Sequence, residues 1–251
     1  MAESRSQTRS IHGFHAIIAK LRHDPEAVKE IYLDANRQDG RAKDLLRHAE
    51  TQGVRVIPVD GKRLDGMAPG ARHQGVIALV DARIRHITLD DVLDTLDEPA
   101  LLLVLDGITD PRNLGACLRV ADAVGAHAVV APKDRAVGLT DVAIKAASGA
   151  AETVPYVVVT NLARSLREMK ERDIWVVGTA GEATSTLYEA QWPEATAWVL
   201  GAEGEGLRRL TRETCDALVS IPMLGSVESL NVSVATGVCL FEARRRRMAG
   251  A

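Results

Sequence analysis

Residues 101–106 read LLLVLD, five aliphatic side chains followed by an aspartate. An unbroken aliphatic run of this length is typical of a strand in a parallel sheet that is covered on both faces. Strand-like and helix-like segments alternate from this point to the C-terminus, and this alternation predicts a doubly wound α/β domain. Ligands of such sheets bind beyond the carboxyl ends of the strands, so the loops there are the first candidates for a functional site.

The rest of the chain divides around this domain. Residues 1–10 are polar and are predicted to be a flexible leader, and residues 11–82 alternate compactly enough to form a small α/β domain. Residues 83–98 carry many charges and are predicted to be a linker with one short helix, so that the large domain spans 99–251. The predicted strands are 31–33, 54–59, 76–80, 101–106, 125–132, 156–159, 174–179, 197–200 and 217–222; the predicted helices are 12–21, 41–52, 114–124, 142–151, 162–172, 207–213 and 230–248.

The composition of the chain excludes several classes of protein. It has 251 residues, of which 46% are hydrophobic and 26% charged, as in an ordinary globular protein. No apolar run is long enough to span a membrane, and the N-terminus lacks the apolar core of a signal peptide, so we expect a cytoplasmic protein. The three cysteines are widely spaced and are predicted to be reduced core thiols, and no spacing of ligands indicates a metal site.

The charge is unevenly distributed along the sequence. Residues 1–86 carry 15 Lys and Arg against 11 Asp and Glu, a balance of +4, whereas residues 87–251 have a balance of −7. A basic N-terminal part indicates an anionic macromolecular partner, although a chance fluctuation of a few charges is the alternative. Candidate phosphate contacts in this part are Arg22, Lys43, Arg47, Arg55, Lys62, Arg63 and Arg72, each of which could instead be an ordinary solvated charge. For residues 244–247, four consecutive arginines, we favour interaction with the C-terminal helix dipole over contact with such a partner.

The loop after residue 106 is the first candidate site. Asp110-Pro111 is a turn signal, and Asn113 is predicted to be the N-cap of the following helix. Arg119 lies six residues further on, among apolar residues that need burial, so its guanidinium needs an anion or a set of acceptors. The alternative is a capping asparagine followed by an arginine in a structural ion pair.

The loop at residues 200–207, LGAEGEGL, is the second candidate. Its glycines permit close approach of backbone to a ligand, but their spacing fits neither a P-loop nor a dinucleotide-binding loop. Glu203 and Glu205 would repel a pyrophosphate, so a ligand with positive or zwitterionic character fits better.

The third candidate is the segment 221–235, IPMLGSVESLNVSVA, where a strand passes through a polar loop into a helix. Small polar side chains beside sharply turning backbone are typical of a pocket for a small ligand. Ser229 and Asn231 could instead form only a helix cap.

Together the three loops resemble the motifs of the SpoU (TrmH-like) family of 2′-O-ribose RNA methyltransferases in the SPOUT superfamily. The resemblance covers about residues 99–248, and the motif positions it matches are Asn113, Arg119, Gly201, Glu203, Pro222, Ser229 and Asn231. The N-terminal domain resembles the L30e-like substrate-binding domain often fused to this family, on the strength of residues 11–13 (IHG) and 73–76 (HQGV).

The resemblance implies an α/β fold in which the methyltransferase domain is tied into a trefoil knot. It implies S-adenosylmethionine as cofactor, held through the main chain of Gly201, Ile221 and Leu230, and a homodimer whose active site is completed across the interface. It also implies the reaction: transfer of a methyl group to the 2′-OH of a guanosine ribose in 23S rRNA, with tRNA or another rRNA site as the alternative.

The family pattern assigns activation of the 2′-OH to Arg119. Because arginine stays protonated in proteins, we expect it to bind the adjoining phosphate and to stabilise the developing alkoxide instead of acting as a base. Asn113 and Asn231 would orient Arg119 and the ribose, and Glu203 and Ser229 would hold this polar set in place. From other classes, a non-catalytic RNA-binding assembly factor is opposed by the intact motif set, and a nucleotide-dependent oxidoreductase by the glycine spacing.

Overall fold

The computed structural model describes residues 8–81, 87–202 and 204–250. The chain divides into two compact units, residues 1–85 and 86–251.

The described part of the first unit is a four-stranded sheet with helices on it. Strand order is β1-β4-β2-β3, in which β3 runs parallel to β2 and the other neighbours are antiparallel. Its elements are β1 (Thr8–His12), α1 (Phe14–His23), β2 (Val28–Asp34), α2 (Gly40–Thr51), β3 (Val56–Val59), α3 (Gly61–Met67) and β4 (Val76–Asp81). Helices α1 and α2 bury their apolar residues with Ile31, Leu33 and Ala78 of the sheet, which form one core.

Two elements of this unit differ from the prediction. Residues 8–10, predicted to belong to a flexible leader, are part of β1, which pairs along its whole length with β4. Helix α3 was not predicted, because only Leu64 of its seven residues is a buried aliphatic. It begins at Gly61 after Asp60, whose carboxylate accepts a hydrogen bond from the backbone N–H of Arg63 at 2.7 Å.

The second unit is built on a seven-stranded sheet in which all the paired strands are parallel, in the order β7-β6-β5-β10-β8-β11-β9. Its elements are α4 (Leu89–Leu93), β5 (Leu101–Asp106), α5 (Pro111–Ala123), β6 (Ala128–Pro132), α6 (Asp141–Ala147), β7 (Tyr156–Val159), α7 (Leu162–Glu171), β8 (Trp175–Thr179), β9 (Ser185–Thr186), β10 (Thr196–Gly201), α8 (Arg209–Thr214), β11 (Ala217–Ser220) and α9 (Val232–Gly250).

The burial of strand β5 shows that this sheet is covered on both faces. All six of its residues are buried. Leu101, Leu103 and Leu105 belong to the core that includes residues of α5 and α9, whereas Leu102 and Val104 belong to the core that includes residues of α4 and α7. The aliphatic run is therefore continuous because alternate side chains enter two different cores.

The predicted linker is only partly described, since residues 82–86 lie outside the described ranges. The remainder holds the expected short helix, α4, which a capping box between Thr88 and Asp91 opens. Leu89 and Val92 of α4 are buried in the core of the second unit. Helix α4, predicted as part of a linker, therefore belongs to the folded second unit.

Candidate active site

The three candidate loops leave the same edge of the large sheet. Asp106 at the end of β5 lies in register with Gly201 at the end of β10, and β8 and β11 run parallel to these strands. The loops that follow β5, β10 and β11 therefore all start at the carboxyl edge of the sheet, where ligands of α/β folds bind.

Helix α5 begins earlier than the sequence indicated. Asp110 is its N-cap and accepts a hydrogen bond from the backbone N–H of Arg112 at 2.8 Å, and Pro111 is the first helical residue. The prediction that Asn113 is the N-cap was wrong: Asn113 lies in the first turn of the helix. Its side chain is half-buried at the helix start.

Asn113 and Asn231 are brought together across 118 residues of sequence. The Nδ2 of Asn231 donates a hydrogen bond to Oδ1 of Asn113 at 3.0 Å. The Oδ1 of Asn231 accepts from the backbone N–H of Ser233 at 2.9 Å and from its hydroxyl at 2.6 Å. Asn231 is therefore both the cap of α9 and a hydrogen-bond partner of Asn113.

Arg119 lies on α5 but is not directed at the asparagine pair. Six helical residues correspond to a rotation of about 600°, so the side chains of Asn113 and Arg119 point about 120° apart. Arg119 is exposed and makes no hydrogen bond or ion pair with any residue that the structure describes. The sequence predicted that this guanidinium needs an anion or a set of acceptors, and the described part of the chain does not supply them.

The other two predicted catalytic residues are Glu203 and Ser229. Glu203 lies outside the described residues. Ser229 is exposed in the loop before α9 and, like Arg119, makes no hydrogen bond with a described residue.

Gly201 is a glycine for a steric reason. A Cβ added to it would lie 2.1 Å from the carbonyl carbon of Gly206 and 2.5 Å from the backbone nitrogen of Leu207. The chain folds back here because Ala202 and Gly206 exchange two backbone hydrogen bonds, of 3.2 and 2.9 Å. Gly204 and Gly206 have φ values of 81° and 66°, which glycine adopts readily.

The segment between β11 and α9 exposes its main chain. Ile221 and Leu230, the predicted cofactor contacts at its two ends, are half-buried, whereas most of the residues between them are exposed. From residue 221 to 230 the main chain makes no backbone–backbone hydrogen bond with any described residue. Since backbone N–H and C=O groups need partners when they are removed from water, this segment has unused capacity to bind a ligand.

One pair of charged residues at this edge was missed by the sequence interpretation. Asp106 is buried, with a side chain of 0% exposure, and accepts a hydrogen bond from the backbone N–H of Arg208 at 2.9 Å. The Arg208 Nε lies 3.4 Å from the other carboxylate oxygen. An aspartate at the end of an otherwise aliphatic strand was the available signal, since an ionised side chain is rarely buried without a partner.

The arginines at 244–247 have a different role from the predicted one. Three of them bind backbone carbonyls of distant segments, so interaction with the helix dipole does not account for them, and their donors are largely occupied. The acceptors are Val124 (2.7 Å) and Gly125 (3.1 Å) for Arg244; Ala190 (2.6 Å), Leu187 (2.9 Å) and Tyr188 (3.1 Å) for Arg246; and Pro99 (2.9 Å), Ala100 (2.6 Å) and Glu194 for Arg247. Arg246 also lies over the ring of Trp192, 3.8 Å from its centroid.

The candidate phosphate contacts of the first unit are surface residues, and some of them already interact with other side chains of the protein. Arg22 lies 3.0 Å from the His48 ring nitrogen, Arg47 pairs with Asp44, and Arg63 stacks over Tyr32. The four others, Lys43, Arg55, Lys62 and Arg72, are exposed.

The thiols are unsuited to nucleophilic chemistry. Burial raises the pKa of Cys117 to about 11 and the pKa of Cys239 to about 12, and burial is also the main cause that raises the pKa of Cys215 to about 12. All three are free cysteines, as predicted.

Among the described residues, no helix combines the length and the apolar character that crossing a bilayer requires. The same residues include no group of three or more His, Cys, Asp or Glu side chains placed to hold a metal ion.

The fold and the candidate site define a two-unit α/β protein whose candidate ligand loops lie at the carboxyl edge of its larger, parallel sheet. Comparison with protein families makes this class specific. Residues 100–241 match the SpoU rRNA Methylase family, and residues 10–84 match the family described as RNA 2′-O ribose methyltransferase substrate binding. The chain therefore belongs to the SpoU rRNA methylase family.

Curated relatives resemble the chain over nearly its whole length. The 23S rRNA (guanosine-2′-O-)-methyltransferase RlmB of Ralstonia nicotianae is 62% identical, over 96% of this chain and 97% of that protein. The protein of the same description from Escherichia coli K12 is 54% identical, over 94% of this chain and 98% of its own.

Solved structures of the family have the same fold. The SpoU methyltransferase AviRb from Streptomyces viridochromogenes, in complex with the cofactor AdoMet, superposes with a TM-score of 0.77 at 27% identity, covering 98% of this chain and 93% of that one. The A. aeolicus TrmH/SpoU tRNA modifying enzyme matches 61% of this chain and 78% of its own, with a TM-score of 0.55 at 30% identity.

Proposed function

We propose that the protein transfers a methyl group from S-adenosylmethionine to the 2′-OH of a guanosine ribose in 23S rRNA. The observation that carries the proposal is the Asn231–Asn113 hydrogen bond at the carboxyl edge of the sheet, which joins two of the family's motifs into one polar site. The specific substrate rests on curated relatives at 54–62% identity that are named for this reaction.

The described residues fit S-adenosylmethionine as the cofactor. The segment from Ile221 to Leu230 offers main-chain groups that make no backbone–backbone hydrogen bond with a described residue, and its two ends are half-buried apolar residues. The tight turn after Gly201 offers a second stretch of backbone at the same edge. Such a surface suits a zwitterionic, sulfonium-bearing ligand without phosphates, and the bound cofactor would supply the electrophilic methyl group.

The chain's own residues have to hold the ribose and assist loss of its 2′ proton. Arg119, a permanent cation, would bind the adjoining phosphate and stabilise the developing alkoxide. Asn113 and Asn231 would orient the ribose hydroxyl, and Ser229 and Glu203 would add hydrogen bonds to this set. The 2′ proton would leave to phosphate or water.

A homodimer would complete the site, since Arg119 is exposed and makes no hydrogen bond or ion pair with a described residue. Val234, Phe241 and Met248 on α9 are 51%, 53% and 74% exposed and recur every seven residues, so they form one apolar stripe. A stripe of this kind on a helix that packs against α5 suits a second copy of the chain. Sedimentation at twice the chain mass of 27.0 kDa is the expected result, and a monomer at assay concentrations would contradict it.

The proposal includes a trefoil knot in residues 99–251. After β11 the chain has to return past β8 and β10, because Asn231 contacts Asn113 in the first turn of α5, the helix that follows β5. We propose that this return is threaded through a loop of the same domain. Residues 11–82 would select the RNA in the cytoplasm, with the exposed cations Lys43, Arg55, Lys62 and Arg72 among its phosphate contacts.

The test of the proposal offers 23S rRNA and tRNA separately with labelled S-adenosylmethionine. We expect label in 23S rRNA, as 2′-O-methylguanosine, and none in tRNA. Arg119→Lys keeps the positive charge but loses the planar guanidinium, which can donate two parallel hydrogen bonds to a phosphate. We therefore expect this substitution to lower the rate of methyl transfer by at least about tenfold. Arg167→Lys, on an exposed face of α7, is the matched control. Full activity of Arg119→Lys would exclude bidentate binding, label in tRNA alone would favour the tRNA alternative, and no transfer to any RNA would favour an assembly factor.

A further inference from the structure

Asp106 joins two of the three loops that form the candidate site. It is the last residue of β5, so the loop 107–110 begins directly after it, and its carboxylate accepts from the backbone N–H of Arg208 at 2.9 Å. Arg208 closes the loop that follows β10. One buried carboxylate therefore fixes the spacing between these two loops.

The guanidinium of Arg208 reinforces the same junction. Its Nη2 lies 3.1 Å, and its Nε 3.7 Å, from the position that a Cβ on Gly107 would occupy. Gly107 has a φ of 88°, which favours glycine. The arginine side chain thus covers the first residue of the loop after β5, while its backbone is bound to the residue before it.

The loop after β10 is consequently held at two points. Ala202 and Gly206 exchange two backbone hydrogen bonds near its start, and Arg208 binds Asp106 at its end. Glu203, which the family pattern places in the site, lies in this short stretch of sequence.

The arrangement is costly for stability, which argues for a functional reason. The Oδ1 of Asp106 is buried and has no hydrogen-bond partner among the described residues; only the Arg208 Nε approaches it, at 3.4 Å. A carboxylate removed from water is unfavourable unless its oxygens are satisfied. Departures from local stability rules of this kind concentrate at functional sites.

We propose that Asp106 and Arg208 are positioning residues for methyl transfer, which hold the loops after β5 and β10 at the spacing that S-adenosylmethionine requires. The inference rests on the proposed function, because it assigns the cofactor to this edge of the sheet. It gives these residues no contact with the reacting atoms; they act through the backbone of the two loops.

The same sheet supplies a matched control at its opposite edge. Asp216 accepts a hydrogen bond from the backbone N–H of Val176 at 2.9 Å, and Lys170 Nζ lies 2.8 Å from its other oxygen. The Asp216 side chain is 15% exposed, and it precedes β11. Asp216 thus has the same chemistry as Asp106, one backbone donor and one cation, but lies away from the three loops.

The experiment compares Asp106→Asn, Arg208→Met and Asp216→Asn in the full chain. Affinity for S-adenosylmethionine is measured by calorimetry without RNA, stability by urea unfolding, and the mobility of residues 202–208 by hydrogen exchange. We expect Asp106→Asn and Arg208→Met to raise the cofactor Kd by about tenfold or more and to speed exchange in 202–208. Asp216→Asn should lose stability while its Kd stays within about twofold of the wild type.

A cofactor Kd for Arg208→Met equal to that of the wild type would overturn the inference, and so would an equal rise in Kd for Asp216→Asn. If Asp106→Asn does not fold, Arg208→Met decides alone, because it retains the backbone hydrogen bond to the carboxylate. A different result would contradict the proposed function: wild-type protein that binds S-adenosylmethionine but methylates no RNA. That result would leave the role of Asp106 in cofactor binding intact.

Discussion

Helices α5 and α9 lie side by side from their starts to the C-terminus of α5, and different residues hold the two ends of this pair together. At the start, one amide hydrogen bond of 3.0 Å joins Asn231 to Asn113 beside exposed loops. At the end, Arg244 donates to the carbonyls of Val124 and Gly125, where α5 ends. Arg246 and Arg247 bind further carbonyls from the same last turns of α9.

The difference shows which polar groups are available to a ligand. The arginines at the end of the pair are largely occupied by the protein's own backbone, so they stabilise the fold. The asparagines at the start bind each other and lie beside the segment 221–230, whose main chain makes no backbone–backbone hydrogen bond with a described residue. Charge alone would have favoured the arginine end of the pair as the place where a ligand binds, although most of the donors there already bind carbonyls of the chain.

The largest effect on stability is expected at the end of the pair. Arg247→Met removes the donors to Pro99, Ala100 and Glu194, and at about 1 kcal/mol per hydrogen bond we expect the free energy of unfolding to fall by about 3 kcal/mol. Methyl transfer per folded molecule should be unchanged. Urea unfolding and an assay corrected for the folded fraction measure both quantities.

Arg245→Met is the control for that change, because Arg245 is 63% exposed and bonds only to Glu242 among the described residues. We expect it to cost less than about 1 kcal/mol. Equal losses for Arg245→Met and Arg247→Met would contradict the clamping role.

At the start of the pair the effect should fall on the reaction. Asn231→Ala removes the partner of Asn113 and the cap of α9, so we expect methyl transfer to fall by about 10- to 100-fold, whereas loss of the cap costs only about 1 kcal/mol. Steady-state methylation and urea unfolding separate these effects. Asn161→Ala, which removes the equivalent cap from α7, should lose similar stability without loss of rate. A normal rate for Asn231→Ala would remove the asparagine pair from the site.

The end of the pair should also respond to acid. Hydrogen bonds from Arg245 and Arg246 lower the pKa of Glu242 to about 2, although burial acts in the opposite direction. Because the folded-state pKa is depressed, its contribution to stability is complete above about pH 4.5 and is lost as the pH falls towards 2. We expect Glu242→Gln to be less stable than the wild type at pH 7 and to lose less stability between pH 4.5 and 2. Parallel pH profiles of the two proteins would contradict this.

A smaller pH effect is expected from His127. Burial lowers the pKa of this histidine, and Glu98 partly opposes the shift. Its Nδ1 accepts from the backbone N–H of Leu101 at 3.0 Å, which requires an unprotonated nitrogen. Since the unfolded chain binds the proton more readily, stability should fall as the pH drops below about 6.5. In His127→Gln the decline of the melting temperature between pH 6.5 and 5 should be shallower, and an unchanged slope would exclude the contribution.

The large domain could be predicted closely because its strands are short aliphatic runs that need two covered faces. The predicted bounds of β5 and β7 agree with the structure. Strand β1 was missed because it is mostly polar, and it is a strand only through its pairing with β4. The start of α5 was misplaced because Asn113 was given the capping role that Asp110 has, although Pro111 favours the first helical position.

The candidate site was predictable as a set of motif residues but not as a geometry. Nothing in the spacing of Asn113 and Asn231 indicates that their side chains meet, since 118 residues and the order of the strands separate them. Likewise, the arginines at 244–247 look like a basic patch until the carbonyls that they bind are known. The sequence pattern places Asp106 at the end of a strand but does not indicate its partner, because Arg208 is 102 residues away.

The most direct test of the central claim is a map of 2′-O-methylation on 23S rRNA from cells that lack this protein. We predict that one guanosine loses its 2′-O-methyl group, and that the wild-type chain restores it while Asn231→Ala restores it poorly or not at all. A map identical to that of the parent cells, or a lost methyl group on tRNA instead, would contradict the account.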